Sequence, residues 1–233
     1  MRVVIVENTA ISHHGQVGVA LHEAAALIDI CRPFAGQPLP AGVQGDALVV
    51  FGGEQSALDD ARHPCLPGLA ALMRACHAAG RPVLGICLGS QILARAFGGE
   101  NRLGVALEFG WTPITRTAAG RTDPLFSALP DRFPIFQWHS DTFTLPPGAV
   151  HLATGAVPAQ AFRLGARTWG TQFHFEAHRP MVADWTRRFP AGCEAMRPGW
   201  AAAHAEEAAL HGPAADAAGL TLARAFVAQI AGA

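Results

Sequence analysis

The chain has 233 residues, of which half are apolar and only 15% are charged, and its formal net charge is −1. This composition is typical of a compact protein with a heavily buried sheet, and it excludes a disordered chain. All 17 basic residues are arginines scattered along the sequence, so no basic stripe indicates a nucleic acid or an anionic membrane as a partner.

The cysteines and the first residues indicate the compartment. An odd number of cysteines with irregular spacing argues against a disulfide framework and against a Cys-x-x-Cys zinc site. The five are Cys31, Cys65, Cys76, Cys87 and Cys193. The N-terminal apolar run is too short for a signal peptide, and no run approaches the ~18 apolar residues of a transmembrane helix. We therefore expect a cytoplasmic protein with no membrane segment.

The first part of the chain alternates between strand-like and helix-like patterns. Continuous β-branched and apolar runs predict strands that are buried on both faces. The predicted strands cover residues 3–6, 46–51 and 82–87, and the predicted helices cover residues 17–30, 66–79 and 90–97. Strands that alternate with helices predict βαβ units and therefore a parallel sheet.

The second part begins with short strand-like runs separated by proline and glycine. These runs cover residues 111–117, 133–138, 150–154, 160–164 and 168–173, and we expect them to extend the sheet with antiparallel pieces on one side. The pattern is helical again from residue 180; residues 199–212 are ambiguous, and residues 214–231 predict a C-terminal helix. No linker is recognisable, so we expect one domain over residues 1–233, with a helical extension from about residue 178.

The segment around Cys87 has the features of a nucleophile turn between a strand and a helix. Gly85 and Gly89 flank the cysteine in a G-x-C-x-G pattern, which lets the chain reverse sharply and expose the middle side chain. The positive end of the following helix favours a thiolate at that position. A free cysteine is more often a small apolar core residue, and the two glycines are the feature that favours the nucleophile here.

A nucleophilic thiol needs a base, and the segment Gly170–Glu176 offers one. On an extended chain His174 and Glu176 point to the same side, so the carboxylate can orient the imidazole. With eleven histidines in the chain, one histidine alone is weak evidence. The adjacent glutamate and the upstream nucleophile turn together favour a Cys–His–Glu triad.

The motifs GICLGSQ and GTQFHFE together resemble the paired signature of class I glutamine amidotransferases. Residues 49–53 (VVFGG) resemble the oxyanion strand of that family. Residues 108–111 and 138–142 resemble stand-alone proteins related to the amidotransferase domain of GMP synthase. The resemblance implies an α/β fold with an open, mostly parallel, twisted sheet of the flavodoxin-like type, with helices on both faces and antiparallel additions.

The resemblance also implies roles for individual residues. Cys87 would be the nucleophile, His174 the general base and acid, and Glu176 the residue that orients His174. The backbone N–H groups of Gly53 and Leu88 would form the oxyanion hole.

Substrate binding is implied for a further set of residues, which are Gln91, His139, Ser140 and Asp141. For His139 a purely structural role is equally compatible with the sequence. Two positions depart from the family pattern, since Phe175 and Glu54 stand where many members have proline. Phe175 would change the stiffness of the loop between His174 and Glu176. Glu54 would change the conformation of the oxyanion loop.

The implied reaction is hydrolysis of the glutamine side-chain amide through a cysteine thioester, without a metal or an organic cofactor. No phosphate-binding G-x-x-x-x-G-K-[ST] motif is present. Either a separate synthetase would accept the ammonia, as is usual in this family, or the enzyme would act alone on a glutamine-like amide or a γ-glutamyl bond. A γ-glutamyl hydrolase or peptidase with the same triad is one alternative. A catalytically silent binding or regulatory module and another cysteine-hydrolase family on the same type of sheet are others. The oligomeric state is not readable from the sequence.

Overall fold

The computed structural model describes residues 1–232 and contains eleven strands and six helices. Ala233, the last residue of the predicted domain, lies outside the described residues. The strands are β1 (Arg2–Val6), β2 (Leu27–Cys31), β3 (Ala47–Val50), β4 (Val83–Ile86), β5 (Asn101–Arg102), β6 (Glu108–Arg116), β7 (Arg132–His139), β8 (Thr142–Phe143), β9 (Val150–Thr154), β10 (Ala161–Leu164) and β11 (Thr168–Thr171). The helices are α1 (Gly15–Glu23), α2 (Leu66–Ala78), α3 (Leu88–Ala96), α4 (Arg179–Arg188), α5 (Pro190–Met196) and α6 (Trp200–Ala231).

Nine strands form one sheet in the order β2-β1-β3-β4-β11-β10-β9-β6-β7. The first five are parallel to one another, and the remaining four continue the sheet with antiparallel pairings. The short strands β5 and β8 form a separate antiparallel pair. This topology confirms the predicted α/β fold with antiparallel additions on one side.

Two apolar layers cover the two faces of the parallel strands. Val3 and Ile5 of β1 pack in the layer that contains α1 and α6, whereas Val4 and Val6 pack in the layer that contains α2 and α3. Successive side chains of a strand point to opposite faces, so burial on both faces requires the continuous apolar runs seen in the sequence. The site-bearing end of the sheet is therefore held by a core on each side.

The prediction of one helix over residues 17–30 is wrong. Helix α1 ends at Glu23, Ala25 adopts a left-handed conformation with φ 49°, and the chain re-enters the sheet as β2. Strand β2 lies at the sheet edge, and Leu27 is 60% exposed. The alanines before it favour helix, but pairing with the edge of β1 outweighs this local preference.

The C-terminal part is one continuous helix, α6, which begins at Trp200 and includes Pro213. The ambiguous residues 199–212 thus belong almost entirely to the same helix as residues 214–231. Leu222, Phe226 and Ile230 recur every four residues and are buried against the sheet, as expected for one face of a helix. Helix α6 therefore packs on its own chain.

Among residues 1–232, none of the helices combines the length and apolarity that a membrane crossing needs.

Candidate active site

Cys87 lies in a strained turn between β4 and α3. Its backbone has φ 51° and ψ −110°, a conformation that non-glycine residues rarely adopt. A Cβ on Gly85 would lie 2.5 Å from the carbonyl oxygen of Gly89, and one on Gly89 would overlap the carbonyl oxygen of Val50. Only glycine fits at both flanking positions, so the local sequence permits the strained turn.

Pairing of β4 with β11 brings the two predicted segments together. Ile86 is in register with Thr171, and the N–H of Cys87 donates to the carbonyl oxygen of Thr171 at 2.8 Å. Since both strands are parallel and end at the same edge, the residues that follow them meet there. His174 follows three residues after Thr171, and its N–H donates to the carbonyl oxygen of Phe136 at 2.9 Å.

The His174 imidazole is buried and bound to a carboxylate. Nδ1 of His174 lies 2.7 Å from Oε1 of Glu176, and the Glu176 side chain is only 2% exposed. The carbonyl oxygen of Glu176 in turn accepts a hydrogen bond from the N–H of Gln16 at 2.9 Å. Phe175 and Glu176 form a turn instead of the expected extended chain, and the two side chains nevertheless meet.

Cys87 and His174 converge on Gly52. A Cβ on Gly52 would lie 3.1 Å from Cε1 of His174 and 3.4 Å from Cβ of Cys87. Burial alone would lower the pKa of His174, but the charges on Glu176 and Cys87 raise it well above its ordinary value. The surroundings of His174 therefore favour the protonated form of its ring.

The backbone N–H groups of Gly53 and Leu88, which were predicted to form the oxyanion hole, have no hydrogen-bond acceptor among residues 1–232. Leu88 is the first residue of α3, where N–H groups have no partner within the helix. The two residues are close together, because a Cβ on Gly53 would lie 3.0 Å from Cδ2 of Leu88. Free donors of this kind can bind a developing negative charge on oxygen.

One glutamine contacts the sulfur, and a second glutamine binds the first. Nε2 of Gln172 lies 3.8 Å from Sγ of Cys87, and Oε1 of Gln172 accepts a hydrogen bond from Nε2 of Gln91 at 3.2 Å. Gln91 also donates to the carbonyl oxygen of Asp141 at 3.4 Å. Gln172 lies within the GTQFHFE motif, but its amide had no assigned role in the sequence, where only the histidine and glutamate indicate chemistry.

His139 is part of a buried polar network. Nε2 of His139 lies 3.1 Å from Oε2 of Glu108, and its Nδ1 lies 3.0 Å from the carbonyl oxygen of Asp141. Glu108 also accepts a hydrogen bond from Nε2 of Gln160 at 2.6 Å. Both ring nitrogens of His139 are thus engaged by the protein, which shows a structural role for a residue that also lines the cavity.

Ser140 and Asp141 hold the adjacent loop and line the same cavity. Oδ1 of Asp141 accepts from the N–H of Gly104 at 2.8 Å, and the carbonyl oxygen of Ser140 accepts from the N–H of Ala106 at 2.9 Å. The four residues predicted to bind substrate therefore lie at one end of the cavity that contains Cys87.

The cavity has a volume of about 600 Å³, which is in the range of small-molecule sites. Its lining includes Cys87, His174 and the glycine loop at Gly52, and a wall next to His174 comes from α4 and α5. The residues of that wall lie outside the two motifs, so the sequence did not indicate them. In residues 1–232 no cluster of three or more His, Cys, Asp or Glu side chains is arranged to hold a metal ion.

A model of the family described as glutamine amidotransferase class-I matches residues 35–189. The chain belongs to this family. The match begins after β2 and ends just after α4, so all of α5 and α6 lie beyond it.

Individual relatives agree with this assignment. The glutamine amidotransferase-like protein YfeJ of Salmonella typhimurium is 35% identical over 150 residues, which cover 62% of this chain and 63% of YfeJ. A glutamine-hydrolysing GMP synthase of Thermomicrobium roseum is 37% identical over 125 residues, which cover 53% of this chain and 23% of the synthase. The chain thus spans less than two thirds of the length of either relative.

The structure of a glutamine amidotransferase from Methylobacillus flagellatus superposes with a TM-score of 0.83 at 28% identity, over 99% of this chain and 94% of the other.

The two departures from the family pattern have different surroundings. Phe175 is only 1% exposed and packs against Phe173 at 6.5 Å between ring centroids, so it anchors the turn in the core. Glu54 is exposed at the rim of the cavity. Neither side chain enters the space between Cys87 and His174, where Gly52 lies against both.

Proposed function

We propose that the protein hydrolyses the side-chain amide of glutamine to glutamate and ammonia, with Cys87, His174 and Glu176 as its catalytic triad. The observation that supports this most is the convergence of Cys87 and the Glu176-bound imidazole of His174 on Gly52. The family assignment supports a glutamine amidotransferase, and the geometry indicates which residues would act.

The proposed reaction has two halves. The Cys87 thiolate attacks the side-chain carbonyl carbon, and the N–H groups of Gly53 and Leu88 hold the oxyanion, each contributing roughly 3 kcal/mol to the barrier reduction. His174 gives its proton to the leaving nitrogen, and ammonia departs. Water then attacks the thioester with His174 as base, which releases glutamate and returns the proton to the site.

Glutamine would lie with its amino-acid end at the polar end of the cavity. Gln91, His139, Ser140 and Asp141 line that end. We assign direct contacts to Gln91 and Asp141 and a positioning role to His139, because both nitrogens of its ring are already engaged. The hydrogen bond between Gln91 and Gln172 would keep the first of these amides in place.

The ammonia acceptor would be a separate enzyme. This chain matches only about a quarter of the length of the glutamine-hydrolysing GMP synthases, and the family model covers residues 35–189 of it. We treat residues 1–233 as one domain, with α4, α5 and α6 as its helical extension. A silent binding module is a weaker candidate because the buried carboxylate, imidazole and thiol are all retained.

The test is covalent labelling of the thiol with a diazoketone analogue of glutamine. We expect the wild-type chain to be labelled once, at Cys87, by peptide mass spectrometry, and Cys87→Ala to be unlabelled. His174→Ala should be labelled far more slowly, since the base is absent. Labelling of Cys31 or Cys76 instead of Cys87, or undiminished ammonia release by Cys87→Ala, would refute the assignment.

A further inference from the structure

The cavity is much larger than the ammonia that glutamine hydrolysis releases. Its volume is about 600 Å³, whereas ammonia is close in size to water, which takes up about 30 Å³ in the liquid. Residues of α4 and α5 line part of it, and Trp185 of α4 lies next to His174. The character of the lining beside His174 therefore indicates which larger leaving groups the site would favour.

The wall beside His174 is aromatic. The rings of His174 and Trp185 meet edge to face at 5.4 Å, and Trp185 meets Trp138 at 5.5 Å. Trp138 in turn meets Phe189 at 6.1 Å, and Met196 completes this wall from α5. These side chains form a continuous apolar surface that begins at the imidazole.

Charged groups are scarce on this wall. Among the residues of α4 and α5 that line the cavity, Arg188 is the charged one, and its Nε donates to Oδ2 of Asp184 at 2.7 Å. Trp138 and Phe189 are half-buried, so each leaves part of its ring open to the cavity. The surface therefore favours an uncharged apolar group.

The position of the wall determines which part of a substrate it would contact. In the proposed function, on which this inference rests, His174 protonates the leaving nitrogen, the oxyanion faces Gly53 and the amino-acid end faces Gln91. The substituent of the leaving nitrogen then faces Trp185, because that ring packs on the imidazole.

We propose that the preferred substrates are γ-glutamyl amides of primary amines with an aromatic or bulky apolar substituent. The Cys87 sulfur forms a bond to the γ-carbonyl carbon, the C–N bond breaks, and the leaving nitrogen takes the proton of His174. Water then cleaves the thioester, so that one amide and one water give glutamate and the free amine.

Wild-type enzyme provides the first test, with glutamate release measured for γ-glutamyl methylamide, butylamide and benzylamide and for glutamine. We expect kcat/KM to rise at least about tenfold from methylamide to benzylamide, as an apolar pocket discriminates between substituents. A fall with substituent size, or hydrolysis of glutamine without hydrolysis of the benzylamide, overturns the inference and leaves the proposed function intact. If neither is hydrolysed and Cys87 is not labelled, both proposals are wrong.

A substrate with a charged substituent tests the apolar character of the wall. γ-Glutamyl putrescine has a cationic end on a chain of the length of the butylamide, and we expect it to react more slowly than the butylamide. A faster reaction would show that the aromatic rings bind a cation, which would overturn the assignment of apolar amines.

Variants of one aromatic residue provide the last test. Phe189→Ala should lower the ratio of kcat/KM for benzylamide to that for methylamide at least tenfold. Phe34→Ala is the matched control, since Phe34 is an exposed aromatic residue in the short turn Pro33–Ala35, outside the residues that line the cavity. An unchanged ratio in Phe189→Ala would overturn the inference, and if that variant does not fold the wild-type series decides alone.

Discussion

Nδ1 of His174 and Oε1 of Glu176 lie 2.7 Å apart, and both side chains are shielded from solvent. Because a carboxylate only accepts hydrogen bonds, Nδ1 must hold the proton of this bond. Nε2 is then the nitrogen that remains for the substrate and for the sulfur of Cys87. The second oxygen of Glu176 has no hydrogen-bond partner among residues 1–232, so Nδ1 of His174 is the hydrogen-bond partner of this carboxylate within them.

Glu176→Gln should therefore lower kcat without abolishing activity. The neutral amide keeps an oxygen for Nδ1 but removes the charge that stabilises the imidazolium. We expect kcat for glutamine or for a γ-glutamyl amide to fall by about 10²-fold, the lower end of an acid–base contribution. Glu100→Ala, at an exposed position, is the control that should keep wild-type kcat. Wild-type kcat in Glu176→Gln would contradict the role of the carboxylate.

The titration of His174 should show the effect of its two partners, Glu176 and Cys87. Its pKa lies well above the ordinary value, against the effect of burial, because Glu176 and Cys87 favour the protonated ring. In ¹⁵N-histidine NMR spectra the midpoint should lie above about 6.5 and should move down in Cys87→Ala, where one negative partner is lost. A midpoint at or below 6.5 in the wild type would contradict the raised pKa of His174.

The same shift has a consequence for stability. The folded protein binds the His174 proton more tightly than the unfolded chain, so the stabilisation is fully present below the unfolded pKa of about 6.5. It is lost as the pH rises through the raised folded pKa. Because His174 keeps Glu176 in Cys87→Ala, the two proteins lose this stabilisation in parallel at first. We expect the free energy of unfolding of wild type to fall relative to the variant only above the variant's lower folded pKa of His174. A difference that does not change with pH would contradict this.

The parallel part of the fold was predictable because its signals are local. A run such as Val3–Val6 can be buried only between two apolar layers, and the alternation with helices determines the parallel connection. The edge strand Leu27–Cys31 was missed for the opposite reason. It is largely exposed and follows good helix formers, and its conformation depends on pairing with β1.

Some features of the candidate site were likewise predictable from the sequence, and others were not. The conformation of Cys87 depends on its two neighbouring glycines, which are visible in the sequence. The position of Trp185 beside His174 depends on how α4 packs against Phe136 and Trp200, and no periodicity in α4 specifies this. Nor does the sequence reveal that Glu108 is buried under His139, since the two are 31 residues apart.

Gly89→Ala should disturb the nucleophile turn. The added methyl group would overlap the carbonyl oxygen of Val50, a backbone atom of the buried strand β3 that cannot move freely. We expect a loss of roughly 1–3 kcal/mol in the free energy of unfolding from overpacking, measured by urea denaturation, together with slower labelling of Cys87.

The control for this variant is Gly68→Ala in α2. Its added Cβ would meet only the flexible end of Leu39 at 3.2 Å, and alanine favours the helix by up to about 1 kcal/mol. Equal stability of the two variants would show that the close approach of Gly89 to Val50 does not constrain the turn.

Glu108→Ala should destabilise the fold strongly. Its carboxylate accepts from Gln160 at 2.6 Å and contacts Nε2 of His139 at 3.1 Å, and the residue is only 7% exposed. Removing the carboxylate leaves two buried polar groups without this partner, at a cost of about 1–3 kcal/mol for each. Glu100→Ala, measured in the same urea series, should change stability by less than about 0.5 kcal/mol. Comparable losses in both variants would contradict the importance of this network.

The Gly219→Ala variant tests whether the C-terminal helix helps to position the proposed triad. Gly219 of α6 lies against the carbonyl oxygen of Phe175, the residue between His174 and Glu176, and an added Cβ would overlap that oxygen. Since Phe175 is anchored in the core, α6 must shift or the turn must distort, and we expect both a stability loss of roughly 1–3 kcal/mol and a lower kcat. Gly232→Ala at the end of α6 is the control, because its Cβ would lie 3.6 Å from the carbonyl oxygen of Ala228 in ordinary contact. A Gly219→Ala variant that loses stability but keeps wild-type kcat would show that α6 supports the core without positioning the triad.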